Sequence, residues 1–236
     1  MNHVVIPSEN EPVCLKVLRS NPVHTYKDLE GECKREVVTQ LSDLQNELCA
    51  YCERKFSRPE LPIEPELAVI PHIEHYLSQA PSKFPQLQLN WDNFLAVCSG
   101  KFYKDLTDRK AGIKTDFCSH KRGDSTLSLD PRVREHVQTL FYDGNHRICS
   151  KNKEFDKELN TVFNLNFDSI CRDRADRYMD FDSIFMDDGE RMNLTREEII
   201  SKAIPTVKNE CPGYKSFILY RYNEELKELK QKSGSM

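Results

Sequence analysis

Apolar residues recur at threes and fours between Tyr26 and Leu48. Leu29, Cys33, Val37, Leu41, Leu44 and Leu48 would share one side of an amphipathic helix, with Gly31 weakening its start. Residues 1–24 read as irregular, apart from a short apolar stretch with Val13, Leu15, Val17 and Leu18. The pattern changes after the helix. Six of the twelve prolines fall between residues 59 and 85, which excludes long helices there and favours short strands and turns. LAVIPHIEHY predicts a strand leading into a second extended piece. NWDNFLAVC predicts a turn and then a short helix or strand ending at Cys98. EHVQTLFYDGNHRIC fits a hairpin turning at DGN. Residues 152–165 predict a helix, and SICRDRADRYMDFDSIF predicts a second, with Ile170, Arg174, Arg177 and Phe181 at helical spacing. A third follows Leu194, with Thr195 as its cap.

Composition sharpens this picture. The chain has 236 residues, 38% hydrophobic and 31% charged, enough for one large domain or two small ones with a real core. No window approaches 18 continuous apolar residues, so no transmembrane span is expected. The N-terminus lacks a basic stretch followed by an apolar one, so the reading is a cytoplasmic chain. A net charge of −4 argues against a protein that coats a nucleic-acid backbone, but not against a local basic site. Such a site is offered by residues 99–124, where Lys101, Lys104, Arg109, Lys110, Lys114, Lys121 and Arg122 face four aspartates.

Nine cysteines, an odd number without an export signal, make a disulfide framework unexpected and metal binding or plain burial the better reading. Cys49 and Cys52 form a C-x2-C pair. Cys98 and Cys118, with nineteen residues between them, could complete a tetrahedral four-thiolate zinc site. The alternative is that Cys98 is a core thiol and Cys118 is unpaired. A thioredoxin-like role for Cys49 and Cys52 is disfavoured, because a helix precedes the pair and prolines follow it.

Within the cysteine frame lie CAYC at 49–52, EH at 74–75, WDNFLAVC at 91–98, CSHKRGD at 118–124 and DP at 130–131. Their order resembles the HNH endonucleases, and more narrowly the PtuB-like group of Septu and certain retron anti-phage systems. The resemblance covers residues 45–131 and extends loosely to about residue 177. It implies an α+β, mainly helical chain with an embedded zinc-stabilised ββα-metal nuclease core at 49–131. A segment and helix at 1–48 would precede the core, and a mostly helical region at 132–236 would follow it as a possible partner surface. In that reading His75 is the general base for phosphodiester hydrolysis. Glu74 binds a catalytic Mg²⁺ or Mn²⁺. Asn93 bonds across the loop between the strands and orients His75. Lys121 and Arg122 stand where the family has a lysine that could hold the scissile phosphate.

Adjacent strand residues point to opposite faces, so Glu74 and His75 would need a bend or bulge to face inward together. The sequence departs from the family after the last cysteine, where Asn, Asp or His is usual as the second metal ligand. Here Ser119 stands there, followed by His120. Either a one-residue shift of the helix lets His120 serve, which is the preferred reading, or the site is degenerate, with Asp124 a third candidate. His72 could touch phosphate or face solvent. The resemblance further implies a PtuA-like ATPase partner, possibly with a retron reverse transcriptase and its RNA–DNA product. It leaves the substrate open between DNA and RNA, tRNA included. The competing function is a non-catalytic zinc-stabilised scaffold.

Overall fold

The structure, a computed structural model, describes residues 1–57, 68–80, 83–102, 115–210 and 212–233. Lys104, Arg109, Lys110 and Lys114 of the expected basic face lie outside them. In chain order the elements are α1 (Val13–Ser20), α2 (Gly31–Leu44), β1 (Pro71–His75), β2 (Phe94–Cys98), β3 (Lys101–Phe102), β4 (Thr115–Asp116) and α3 (Cys118–Arg122). There follow α4 (Arg134–Val137), β5 (Leu140–Tyr142), β6 (Ile148–Ser150), α5 (Lys153–Lys157), α6 (Asp168–Arg191), α7 (Arg196–Glu210) and α8 (Lys215–Ser233). The fold is α+β. Its described strands pair only as antiparallel hairpins, β1 with β2, β3 with β4 and β5 with β6.

Two expectations for the N-terminal part are corrected. The apolar stretch at Val13 is a helix, α1. The helix expected over 26–48 is broken near its start: Thr25 and Asp28 close a capping box around one 3-10 turn, Tyr26–Asp28, and α2 begins only at Gly31. Gly31 has φ +57°, a left-handed geometry that glycine adopts without strain. Cysteine pairing differs too: Cys14 and Cys33 form a disulfide joining α1 to α2. Their Cα atoms lie 5.7 Å apart, within disulfide reach, a proximity set by the α1–α2 packing.

α2 lies against both β1 and β2, and every residue of β2 is buried. Past the helix end, the Gln45 amide behaves like a piece of strand. It accepts from the Ala96 N–H at 2.8 Å and donates to the Ala96 carbonyl at 2.7 Å and the Leu48 carbonyl at 2.9 Å. α3 packs on β2. The turn between β2 and β3 lets it approach: a Cβ on Gly100 would lie 2.1 Å from the Phe117 carbonyl oxygen and 2.8 Å from the His120 nitrogen.

One apolar core runs from Leu15, Val37 and Leu41 through Trp91, Phe94 and Leu95 to Phe163 and Phe217. A second, of Ile200, Ala203, Val207, Ile218 and Tyr222, lies in the last helices. The expected hairpin is realised as β5 and β6, turning at Asp143–Arg147. Its first residues form α4 instead, within which His136 caps the Asp130 N–H through Nδ1. The helix expected at 152–165 is α5, continued by a π-turn over Glu158–Val162. α6 begins where expected and runs longer, to Arg191. α7 starts at a capping box made by Thr195 and Glu198.

Candidate functional site

The C-x2-C pair sits in a tight turn. The Cys49 N–H donates to the Arg54 carbonyl and the Glu53 N–H to the Cys49 carbonyl, both at 3.0 Å, with Glu53 at φ +61°. This turn aims both sulfurs at the end of β2, where Cys98 stands, and at the first residue of α3, Cys118. The four sulfurs are buried and lie within 4.8 Å of one another. Cys49 Sγ is 3.4 Å from Cys118 Sγ, and Cys52 Sγ is 3.6 Å from Cys98 Sγ. A tetrahedral zinc with Zn–S near 2.3 Å sets its sulfurs about 3.8 Å apart, so the cluster has nearly the size such an ion needs. Burial pushes the Cys52 and Cys118 thiols well above their usual range. Against the same burial, hydrogen bonds from the three neighbouring thiols bring Cys49 well below it. A bound dication would favour the thiolate at all four. The cluster can therefore hold a metal ion, and its donor set fits structural zinc.

The β1–β2 register is regular from Pro71 opposite Cys98 to His75 opposite Phe94. No bulge brings Glu74 and His75 to one face, so that expectation is corrected. Ile73 and His75 point into the core, while His72 and Glu74 are partly exposed on the other face. On that face lies a polar cavity of about 290 Å³, bordered by His72, Glu74, His75, Ser78, Ser119, His120, Arg122 and Asp124 among others. The His75 ring lies edge-on to Tyr26 and Phe94, with ring centroids 4.5 and 4.9 Å away. Its Nε2 is 2.9 Å from the Gln88 carbonyl and so must carry the proton, which makes Nδ1 the lone-pair nitrogen. Nδ1 has no hydrogen-bond partner among the described residues, and it is not one of the buried atoms closed off from solvent. Burial lowers the pKa of His75.

Asn93 fastens the loop that carries Gln88. Its Oδ1 accepts from the Leu77 N–H at 2.8 Å, and its Nδ2 donates to the Leu77 carbonyl at 2.9 Å and the Leu87 carbonyl at 3.3 Å. Losing Asn93 would free the stretch that holds the His75 ring.

α3 turns Ser119 toward the strands and His120 away. Ser119 Oγ donates to the Cys98 carbonyl at 2.9 Å and lies 3.2 Å from His72 Nε2. The His120 ring is 45% exposed, and its Nε2 is 3.5 Å from Asp116 Oδ1, at the cavity rim. Asp124 accepts from Ser78 Oγ at 2.9 Å. The serine therefore occupies the inner position that the register-shift reading gave to His120. Lys121 is exposed. Arg122 is buried and committed to β1, giving hydrogen bonds to the Glu74 carboxylate, the His75 carbonyl (2.8 Å), the Tyr76 carbonyl and the Ser125 carbonyl (3.3 Å). Burial drives the Glu74 pKa up to about 7 despite the attraction of Arg122. The guanidinium itself stays charged, its pKa raised by Tyr51 and Glu74 against the effect of burial.

The sequence leaves His72 open between a phosphate contact and solvent, and presents Arg122 as a free cation. The signal for His72 was available: it stands two residues before Glu74, on the same strand face. No sequence signal announces that Arg122 folds back onto backbone carbonyls.

Over 104 residues the chain is 29% identical to the "Retron Vc95 putative HNH endonuclease" of Vibrio cholerae serotype O1 biovar El Tor. The match covers 44% of this chain and 41% of that protein, so the chain spans less than half the length of the relative it matches. The similarity is distant and partial. No family model matches the chain.

Proposed function

We propose that the chain is a metal-dependent endonuclease of the HNH type that hydrolyses nucleic-acid phosphodiester bonds and acts as the effector of an anti-phage complex with a PtuA-like ATPase. The observation that carries this reading is the end of β1. There a cavity-facing carboxylate, Glu74, precedes an imidazole fixed in one tautomer, His75, on a hairpin that the four-cysteine cluster ties to a short helix. The β1–β2 pair with α3 packed on β2, the short β3 and β4 lying between them in the chain, suits a ββα-metal core within residues 49–131. The distant likeness to a retron-associated protein named as an HNH endonuclease supports the same assignment.

His75 lies on the other strand face from Glu74 but ends β1 and borders the same cavity, and in this mechanism its Nδ1 takes the proton from a water, whose oxygen attacks phosphorus while the leaving oxygen departs. The lowered pKa keeps the ring neutral and able to act as a base near pH 7. Asn93 and the Gln88 carbonyl hold the ring in place. Glu74 would hold a Mg²⁺ or Mn²⁺, which when bound neutralises charge on the phosphate and the leaving oxygen. Arg122 clamps the end of β1 and so positions Glu74 rather than reaching for phosphate. In this division of the chain the helices within residues 132–236 supply a partner surface, where a reverse transcriptase with its RNA–DNA product could also dock.

The scaffold reading draws on one observation: Arg122 already satisfies the Glu74 carboxylate. A cleavage assay separates the two. The chain, alone and with its ATPase, is presented with double-stranded DNA, single-stranded DNA and total RNA, with Mg²⁺ or Mn²⁺. Cleavage should depend on metal and fall about a hundredfold or more in His75→Ala, with zinc content unchanged. No cleavage of any substrate, or equal cleavage by His75→Ala, would favour the scaffold.

A further inference from the structure

We infer that His72 supplies the second protein ligand of the catalytic cation, and that Ser119 is its orienting partner. This rests on the nuclease reading of Glu74 and deepens it. The position on α3 that would normally supply a ligand carries a serine, and the serine is already engaged. Its hydroxyl proton goes to the Cys98 carbonyl at 2.9 Å, leaving Ser119 Oγ an acceptor toward His72 Nε2 at 3.2 Å. Nε2 of His72 therefore carries its proton, and Nδ1 holds the lone pair. Nδ1 bonds to no described residue, and it is not one of the buried atoms closed off from solvent. An imidazole with one N–H held by a fixed acceptor and the other nitrogen open is the arrangement found in metal-bound histidines.

Placement agrees with this role. His72 and Glu74 are alternate residues of a regular strand, so their Cα atoms are about 6.7 Å apart and their side chains share one face. Both border the same cavity. His120 competes poorly, because its ring turns to Asp116 at the rim. The α3 position has thus become an orienter, while the ligand has moved across to β1. The Cys98 carbonyl anchors Ser119 and the Cys98 thiol belongs to the four-cysteine cluster, so this one residue links the cluster to the orienter of the cation site.

The test is Mn²⁺ binding to the zinc-loaded full chain, followed by electron paramagnetic resonance, with nitrogen modulation of the bound Mn²⁺ as the second readout. Neither needs turnover. The wild type should show one imidazole nitrogen, kept in His120→Ala and His75→Ala. His72→Gln, whose amide can still reach Ser119, should lose the nitrogen signal and weaken Mn²⁺ binding about tenfold or more, with zinc content and circular dichroism unchanged. Ser119→Ala should keep the signal and weaken binding by about tenfold. A nitrogen signal that survives in His72→Gln, or is absent from wild type while Glu74→Gln still weakens binding, overturns the role of His72 and leaves the nuclease reading standing. If Glu74→Gln binds Mn²⁺ as tightly as wild type, the metal site of the nuclease reading fails and the inference falls with it.

Discussion

The residues around the cavity and the three helices that end the chain are held by different means. The cavity walls are two five-residue strands and a five-residue helix, too short to persist on their own propensity. They are joined by point fastenings: four sulfurs, the Gln45 amide, the Asn93 amide and the Arg122 guanidinium. The helices α6, α7 and α8 run for 24, 15 and 19 residues, and α7 and α8 share a distributed apolar seam of Ile200, Ala203, Val207, Ile218 and Tyr222. α6 and α7 approach closely at Gly189, where a Cβ would come within 2.3 Å of Ile199. A distributed seam loses stability in small steps as side chains are trimmed. A fastened region loses it at once when one fastening goes.

The hardest test of this contrast is Cys118→Ser. It should abolish zinc binding at the cluster and cost several kcal/mol, since metal binding in such a site contributes directly to folding. Hydrogen exchange should show β1 and β2 losing protection while the amides of α7 and α8 keep theirs. If α7 and α8 lose protection to the same extent, the two regions form one cooperative unit and the contrast fails.

The next largest effect compares two arginines. Arg122 is 2% exposed and its partner Glu74 is 14% exposed. Removing Arg122 takes its partner from the buried Glu74 carboxyl and its hydrogen bonds from the His75 and Tyr76 carbonyls, so Arg122→Ala should destabilise by about 3–5 kcal/mol. Arg196, 23% exposed, pairs with Asp182 and with Glu225, which is 33% exposed. Solvent screens this network, so Arg196→Ala should cost about 1 kcal/mol or less. Urea denaturation of the two variants measures both. Equal losses would mean that the fastening at Arg122 is no stronger than a surface pair.

The same contrast explains what could be read from the sequence. The long helices announce themselves by spacing, because an apolar seam repeats every three or four residues; α6 and α7 begin close to where their periodicity and the Thr195 cap place them. Cys49 and Cys52 could be nominated by their C-x2-C spacing, and Cys98 and Cys118 as candidates to complete a four-thiolate set, with plain burial the alternative for them. The fastenings could not. Gln45 looks like any polar residue at a helix end, and nothing local says that it will bond the backbone of β2, 51 residues on. Arg122 lies in a basic run that reads as a solvated face until β1 is brought beside it. Gly31 and the Thr25 capping box break a helix that periodicity alone would have continued. α1 leaves no such signal, because eight residues hold too few apolar positions for a period to show. The Ser119 contact with His72 joins residues 47 apart across two elements, so it exists only in three dimensions.

The smallest effect, and the one with the sharpest sign, concerns one carboxylate partner of each arginine, Glu74 and Glu225. In the unfolded chain Glu74 releases its proton near 4.5; in the folded protein burial delays this to about 7. Between those values the native state binds more protons than the unfolded state. The contribution of Glu74 is therefore full below about pH 4.5 and is lost as pH rises through about 7. The slope cannot exceed about 1.4 kcal/mol per pH unit, the equivalent of one proton. Glu225 runs the other way. Hydrogen bonds from Arg196 hold its pKa below the usual carboxylate value, so its contribution is present above about pH 4.5 and lost as pH falls through the lower folded value. Urea denaturation without added Mg²⁺ or Mn²⁺, at pH 5, 6 and 7, should show wild type losing stability relative to Glu74→Gln as pH rises, because only wild type must surrender a proton held by burial. Added Mn²⁺ should reverse the trend, since a cation favours the ionised carboxylate and its affinity should climb through pH 7. A flat difference between wild type and Glu74→Gln would show that Arg122 cancels burial. The two arginine–carboxylate pairs would then obey one rule, and the distinction between a fastened site and a screened helical surface would not extend to their charges.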